Sequence, residues 1–78
     1  MADVAFDQEL DCLGLLCPLP IVKTQQAIST LSPGQVLKLL ATDKASVSDV
    51  QAWVRQTGNE LLTYTEENGV FTYYLKKN

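Results

Sequence analysis

Apolar positions along this chain change their spacing as the sequence advances, and each change marks a new element. Phe6, Gln8, Leu10 and Cys12 share one side of an extended segment, which predicts a first strand over residues 5–12. Gly14 ends it. From Pro18 onward Ile21, Thr24 or Gln25, Ile28 and Leu31 recur at helical spacing with Ala27 beside them, while Lys23 and Gln26 face outward. Ser32-Pro33-Gly34 closes that helix. Residues 35–42 are a largely apolar run, as expected of a central strand. Val47, Val50, Trp53 and Val54 form the inner stripe of a second helix, with Ser46 and Asp49 as its cap and Gly58 as its terminator. Two β-rich runs follow, Leu61 to Thr65 and Val70 to Leu75, joined through Glu66-Glu67-Asn68-Gly69. Asn-Gly between such runs predicts a tight hairpin.

The order is therefore βαβαββ. A chain of 78 residues buries about 60% of its unfolded surface, enough for one two-layer core. The expected fold class is α+β: a two-layer α/β sandwich with a mixed four-stranded sheet and both helices on one face, residues 1–78 forming one domain. Trp53, Tyr64, Phe71, Tyr73 and Tyr74 are assigned to the core and the sheet faces.

Charge narrows the partners. The net charge is −3 and the six basic residues are scattered, so no basic stripe is present for direct nucleic-acid binding. Asp3, Asp7, Glu9 and Asp11 make an acidic start that reads as a solvated edge or as a guide for a basic partner. Asp3 and Asp7 occupy the place of a signal peptide's basic region, and the longest uncharged stretch, Cys12 to Val22, is shorter than the roughly 20 residues a membrane span needs. A cytoplasmic, monomeric protein with reduced thiols is expected, without membrane insertion.

Candidate chemistry shrinks to one group. The absence of histidine removes Cys-His and Ser-His-Asp nucleophiles and histidine-bearing zinc sites, and two cysteines cannot supply a four-thiolate site, so no metal is expected. The four glycines are spread singly, without a phosphate-binding fingerprint. Glu66 and Glu67 read as a solvated turn. Cys12 and Cys17 lack the Cys-x-x-Cys redox spacing.

What remains is a thiol. In Leu15-Leu16-Cys17-Pro18-Leu19-Pro20, two prolines preset the first helical turn after Cys17. With Cys17 as N-cap, the helix dipole and the N–H groups of Leu19 and Ile21 favour the thiolate, moderately, because the prolines remove two donors. The plain alternative is a small buried hydrophobe. A lone thiolate without a general base can still exchange sulfur with another protein's thiol at a shallow surface site. Leu13, Leu15, Leu16 and Leu19 around Cys17 are expected to stay partly exposed as a docking rim.

Leu10-Asp11, Gly14-Leu15, Cys17-Pro18-Leu19-Pro20, Lys23, Ala27, Leu31, Pro33-Gly34, Ala41-Thr42-Asp43, Trp53 and Thr57-Gly58 together resemble the TusA/SirA family of small sulfur carriers. The resemblance covers almost the whole chain. It implies a fold similar to the C-terminal domain of bacterial translation initiation factor three. It also implies a sulfurtransferase that holds sulfur as a persulfide on Cys17, with Pro18, Pro20 and Gly14 supporting the motif and no cofactor beyond that covalent sulfur. Implied partners are a donor such as a cysteine desulfurase or rhodanese-like protein and an acceptor protein of a sulfur relay, serving tRNA thiolation, molybdenum-cofactor synthesis or sulfur metabolism. Lys23 and Asp43 match family positions. Lys23 reads as a docking residue or a solvated lysine, and Asp43 alternatively as a cap of the second helix. Many family members lack a thiol at Cys12, which leaves it either packed on the inner side of the first strand or poised as a resolving thiol. Two competing functions are a non-catalytic interaction module that docks a partner through the uncharged surface around Cys17, and RNA binding, which the acidic balance disfavours.

Overall fold

In a computed structural model, which describes residues 5–16 and 19–78, the chain forms β1 (Gln8–Cys12), α1 (Leu19–Ser29), β2 (Val36–Ala41), α2 (Ser46–Thr57), β3 (Glu60–Glu67) and β4 (Val70–Lys76). One sheet has the order β1-β2-β4-β3. β1 and β2 are parallel, and β4 runs antiparallel to both of its neighbours. Parallel neighbours need a crossover, which α1 supplies between β1 and β2. β2 and β3 therefore also run the same way, with α2 as the connection between them.

Alternation decides which face is covered. Leu37, Leu39 and Ala41 of β2 pair in register with Leu75, Tyr73 and Phe71 of β4, and all six are buried. They form one core with Ala27 and Ile28 of α1 and Val50 and Trp53 of α2. Both helices thus lie on one face, as the patterning predicts. The Trp53 indole N–H donates to Gln25 Oε1 at 2.9 Å and ties the helices together. The fully buried Thr24 hydroxyl, in the α1 stripe, donates back to the Pro20 carbonyl at 2.7 Å.

Three local details depart from the sequence expectation. The first strand begins at Gln8 rather than residue 5, and Phe6 does not follow the inward parity of Leu10 and Cys12. Its ring packs against Tyr74 on the outer face, 6.4 Å between centroids, beneath the Lys38 ammonium. Ser46 is not a cap. The position before α2 is Ala45, with no side-chain cap bond, and the buried Ser46 hydroxyl meets the Tyr73 hydroxyl at 2.7 Å. Asp43 serves the helix start instead, its carboxylate accepting the Ala45 N–H and its carbonyl the Ser46 N–H. Tyr64 is partly exposed and stacks on Tyr73, whereas Trp53, Phe71, Tyr73 and Tyr74 are buried.

The turn chemistry follows the sequence. Asn68 and Gly69 both have positive φ, as a two-residue hairpin with the sheet's twist requires. Gly58 ends α2 in the left-handed region, its N–H on the Val54 carbonyl. A register irregularity between Leu61 and Thr63 interrupts edge strand β3, a common protection against edge-to-edge pairing.

Candidate functional site

Strand direction assembles the site. β1, β2 and β3 run the same way, so their carboxyl ends share one edge of the sheet. The connection from β1 to α1 starts there. It contains Cys17 and Pro18, which, like residues 1–4, lie outside the described residues.

The connection is built from short bonds. The Asp11 carboxylate accepts the Leu13 N–H at 2.9 Å, the Cys12 carbonyl the Leu15 N–H at 3.2 Å, and the Leu16 carbonyl the Leu19 N–H at 2.9 Å. That last bond corrects one expectation: the Leu19 amide is not a free donor but is engaged by the Leu16 carbonyl. Gly14 has φ +78°, and its N–H donates to Thr42 Oγ1 at 2.9 Å, anchoring the connection to the end of β2. The importance of Thr42 was missed from the sequence, where only Ala41-Thr42-Asp43 as a family match marked it.

The leucines separate. Leu13 is 43% exposed, Leu16 71% and Leu19 47%, whereas Leu15 is half-buried against the core and is not part of the rim. Val22, one turn beyond Leu19 on α1, is also exposed and extends the strip, as its outward helical position could have signalled. Pro20 is buried, so it packs the helix as well as shaping its first turn.

Cys12 is fully buried at the end of β1, in register with Ala41. Burial pushes its thiol up from the ordinary cysteine range. The nearby Lys23 ammonium pulls it down by a smaller amount, and Asp11 adds a further upward push. Lys23 itself is exposed on α1, so its charge reaches the same strand-end region. Among the described residues no group of three or more His, Cys, Asp or Glu side chains could hold a metal, and no helix is long and apolar enough to cross a membrane.

Fold and site define a small two-layer α+β protein with an exposed apolar strip flanking a cysteine-bearing connection. The family model described as sulfurtransferase TusA matches residues 8–77. The sulfur carrier protein TusA of Allochromatium vinosum is 51% identical over 78 residues, covering all of both chains. The putative sulfur carrier protein YrkI of Bacillus subtilis is 41% identical over 91% of this chain and 95% of its own. A crystal structure of a SirA-like protein from Desulfitobacterium hafniense superposes with a TM-score of 0.80 at 25% identity, covering 90% of this chain and 96% of that one. The chain belongs to the TusA family of sulfur carriers, proteins that work with partners in sulfur relay.

Proposed function

We propose that the chain, acting as one domain in the cytoplasm, carries sulfur as a persulfide on Cys17 from a donor protein to an acceptor protein. The contrast between its two cysteines supports this reading. Cys12 is sealed in the core with its thiol held protonated, whereas Cys17 lies in sequence between Leu16 and Leu19, both exposed. A thiol that exchanges sulfur between proteins must be reachable and ionisable.

In the first step the Cys17 thiolate attacks the terminal sulfur of a donor persulfide. The donor's S–S bond breaks, a new one forms to Cys17, and the donor leaves as a thiolate. The second step repeats this with an acceptor thiolate as nucleophile and Cys17 as leaving group. No electrons are gained or lost overall, so neither a cofactor nor a metal is required. Donors of the cysteine-desulfurase or rhodanese type and acceptors serving tRNA thiolation, molybdenum-cofactor synthesis or sulfur metabolism fit this chemistry. Leu13, Leu16, Leu19 and Val22 would hold the partner, with Lys23 and Asp43 nearby on the same edge and Pro18, Pro20 and Gly14 shaping the connection. Loading with a cysteine desulfurase and cysteine, followed by mass spectrometry of the intact chain, tests the assignment.

A further inference from the structure

The edge that holds the Cys17 connection also holds the β2–α2 connection and the β3–β4 turn. α2 packs on the sheet through Val50 and Trp53 and leaves the hairpin tip uncovered. The gap is an open cleft of about 440 Å³, lined by Thr42, Lys44, Val47, Glu66, Gly69 and Phe71. This volume falls within the range of ligand sites.

Each lining residue has a distinct character. Phe71 is a buried floor, stacked on Tyr73 with 6.5 Å between centroids, and Val47 is a half-buried wall. Lys44 is exposed and has no ion-pair partner among the described residues. Glu66 pairs with Phe71 across β3 and β4, which places it on the helix-covered side of the sheet, where its carboxylate, among the described residues, meets the Gly69 N–H at a long 3.4 Å. Thr42 accepts the Gly14 N–H and keeps its own hydroxyl proton to donate. One wall of the cleft is thus the residue that anchors the Cys17 connection.

The arrangement is a cation and an anion on either side of an apolar floor. β4 lies between β2 and β3, so Glu66 stands two strand spacings from the end of β2, about 10 Å. A free amino acid carries its ammonium and carboxylate on one carbon and offers no apolar group between them to sit on Phe71. An extended peptide presents the side chains at positions i, i+2 and i+4 on one face, about 7 Å apart, so an acidic, an apolar and a basic side chain there can meet Lys44, Phe71 and Glu66 together.

We propose that this cleft is a docking groove for an extended segment of the relay partner, with an acidic residue for Lys44 and a basic residue for Glu66 flanking an apolar side chain on Phe71. The partner's identity as a relay protein rests on the sulfur-carrier reading; the groove's ligand chemistry does not. A segment seated there touches Thr42 and so is held against the connection that carries Cys17. Docking would then orient the partner's sulfur as well as bind it.

The test is a nuclear magnetic resonance titration of the full chain with two blocked pentapeptides, acetyl-Asp-Ser-Leu-Ser-Lys-amide and acetyl-Lys-Ser-Leu-Ser-Asp-amide, with free cysteine and acetate as controls. One pentapeptide should saturably shift the amides of Thr42, Lys44, Gly69 and Phe71 and outcompete the other. Lys44→Glu or Glu66→Lys should weaken it about fivefold, the effect of an exposed ion pair, and the double reversal should exchange the preference. Silence toward both peptides, equal shifts from acetate or cysteine, or unchanged binding by the charge variants would overturn the groove. Persulfide loading of Cys17 in the same samples separates the two readings: loading with silent peptides rejects only the groove, and peptide binding without loading rejects only the carrier.

Discussion

The Gly14 N–H and the Thr42 hydroxyl oxygen, from residues 28 apart in sequence, meet at 2.9 Å and pin the cysteine-bearing connection to the end of β2. Gly14 itself sits at φ +78°, a backbone state that glycine adopts without steric cost. Thr42→Val keeps the branched shape and removes the acceptor. It should cost about 1 kcal/mol or less in a urea melt, since both groups are exposed, while slowing sulfur transfer more than that loss implies. Thr42→Ser should restore the rate. Gly14→Ala has open space for its methyl group, so its cost of about 1 kcal/mol comes from the left-handed backbone alone.

Ser46 and Tyr73 share a buried hydrogen bond. Tyr73→Phe leaves the Ser46 hydroxyl buried without that partner and should destabilise the chain by about 1–3 kcal/mol. The Tyr73→Phe, Ser46→Ala double variant should recover part of that loss. Additive losses in the two single variants, measured by denaturant melts, would show that the hydroxyls do not interact.

Cys12 makes stability fall with alkaline pH. Its folded-state pKa is raised by burial, so the folded chain holds this proton more tightly than the unfolded chain. The contribution is complete below the ordinary thiol value of about 8.5 and is lost as pH rises toward the folded-state value. Tyr73, also raised by burial, acts the same way above about 10. In a Cys17→Ser background, Cys12→Ala should flatten the first of these slopes and leave the second. Native Cys12 should also resist iodoacetamide until the chain unfolds.

Much of the architecture was legible because it rests on period and on local turn chemistry. The alternation through Leu37, Leu39 and Ala41, the stripe through Val50 and Trp53, and Asn68-Gly69 each carry their structural meaning within a few residues. Phe6 and Ser46 were misread because their partners, Tyr74 and Tyr73, lie on a strand far along the chain, and a short window cannot see that register. The same applies to the site. Gly14 and the cysteine motif stand out locally, but Thr42 and the Lys44–Glu66 cleft exist only because three strands end on one edge. Leu15 turned inward for a related reason: four neighbouring leucines look alike in sequence, and only packing against the core distinguishes them.

That distinction among the leucines is itself testable. Leu16→Asp, at a 71% exposed position, should leave the unfolding free energy within about 0.5 kcal/mol of the parent and weaken binding to the donor protein. Leu15→Asp should destabilise the fold because it places a carboxylate against the core. Equal effects of the two on stability would contradict the placement of the exposed strip.

The central claim is that Cys17 carries the sulfur, and the most direct test is intact-mass spectrometry after incubation with a cysteine desulfurase and cysteine. The parent chain and Cys12→Ser should each gain the mass of one sulfur atom, removable by a thiol reductant, while Cys17→Ser gains none. A sulfur gain on Cys17→Ser equal to that of the parent would contradict the assignment.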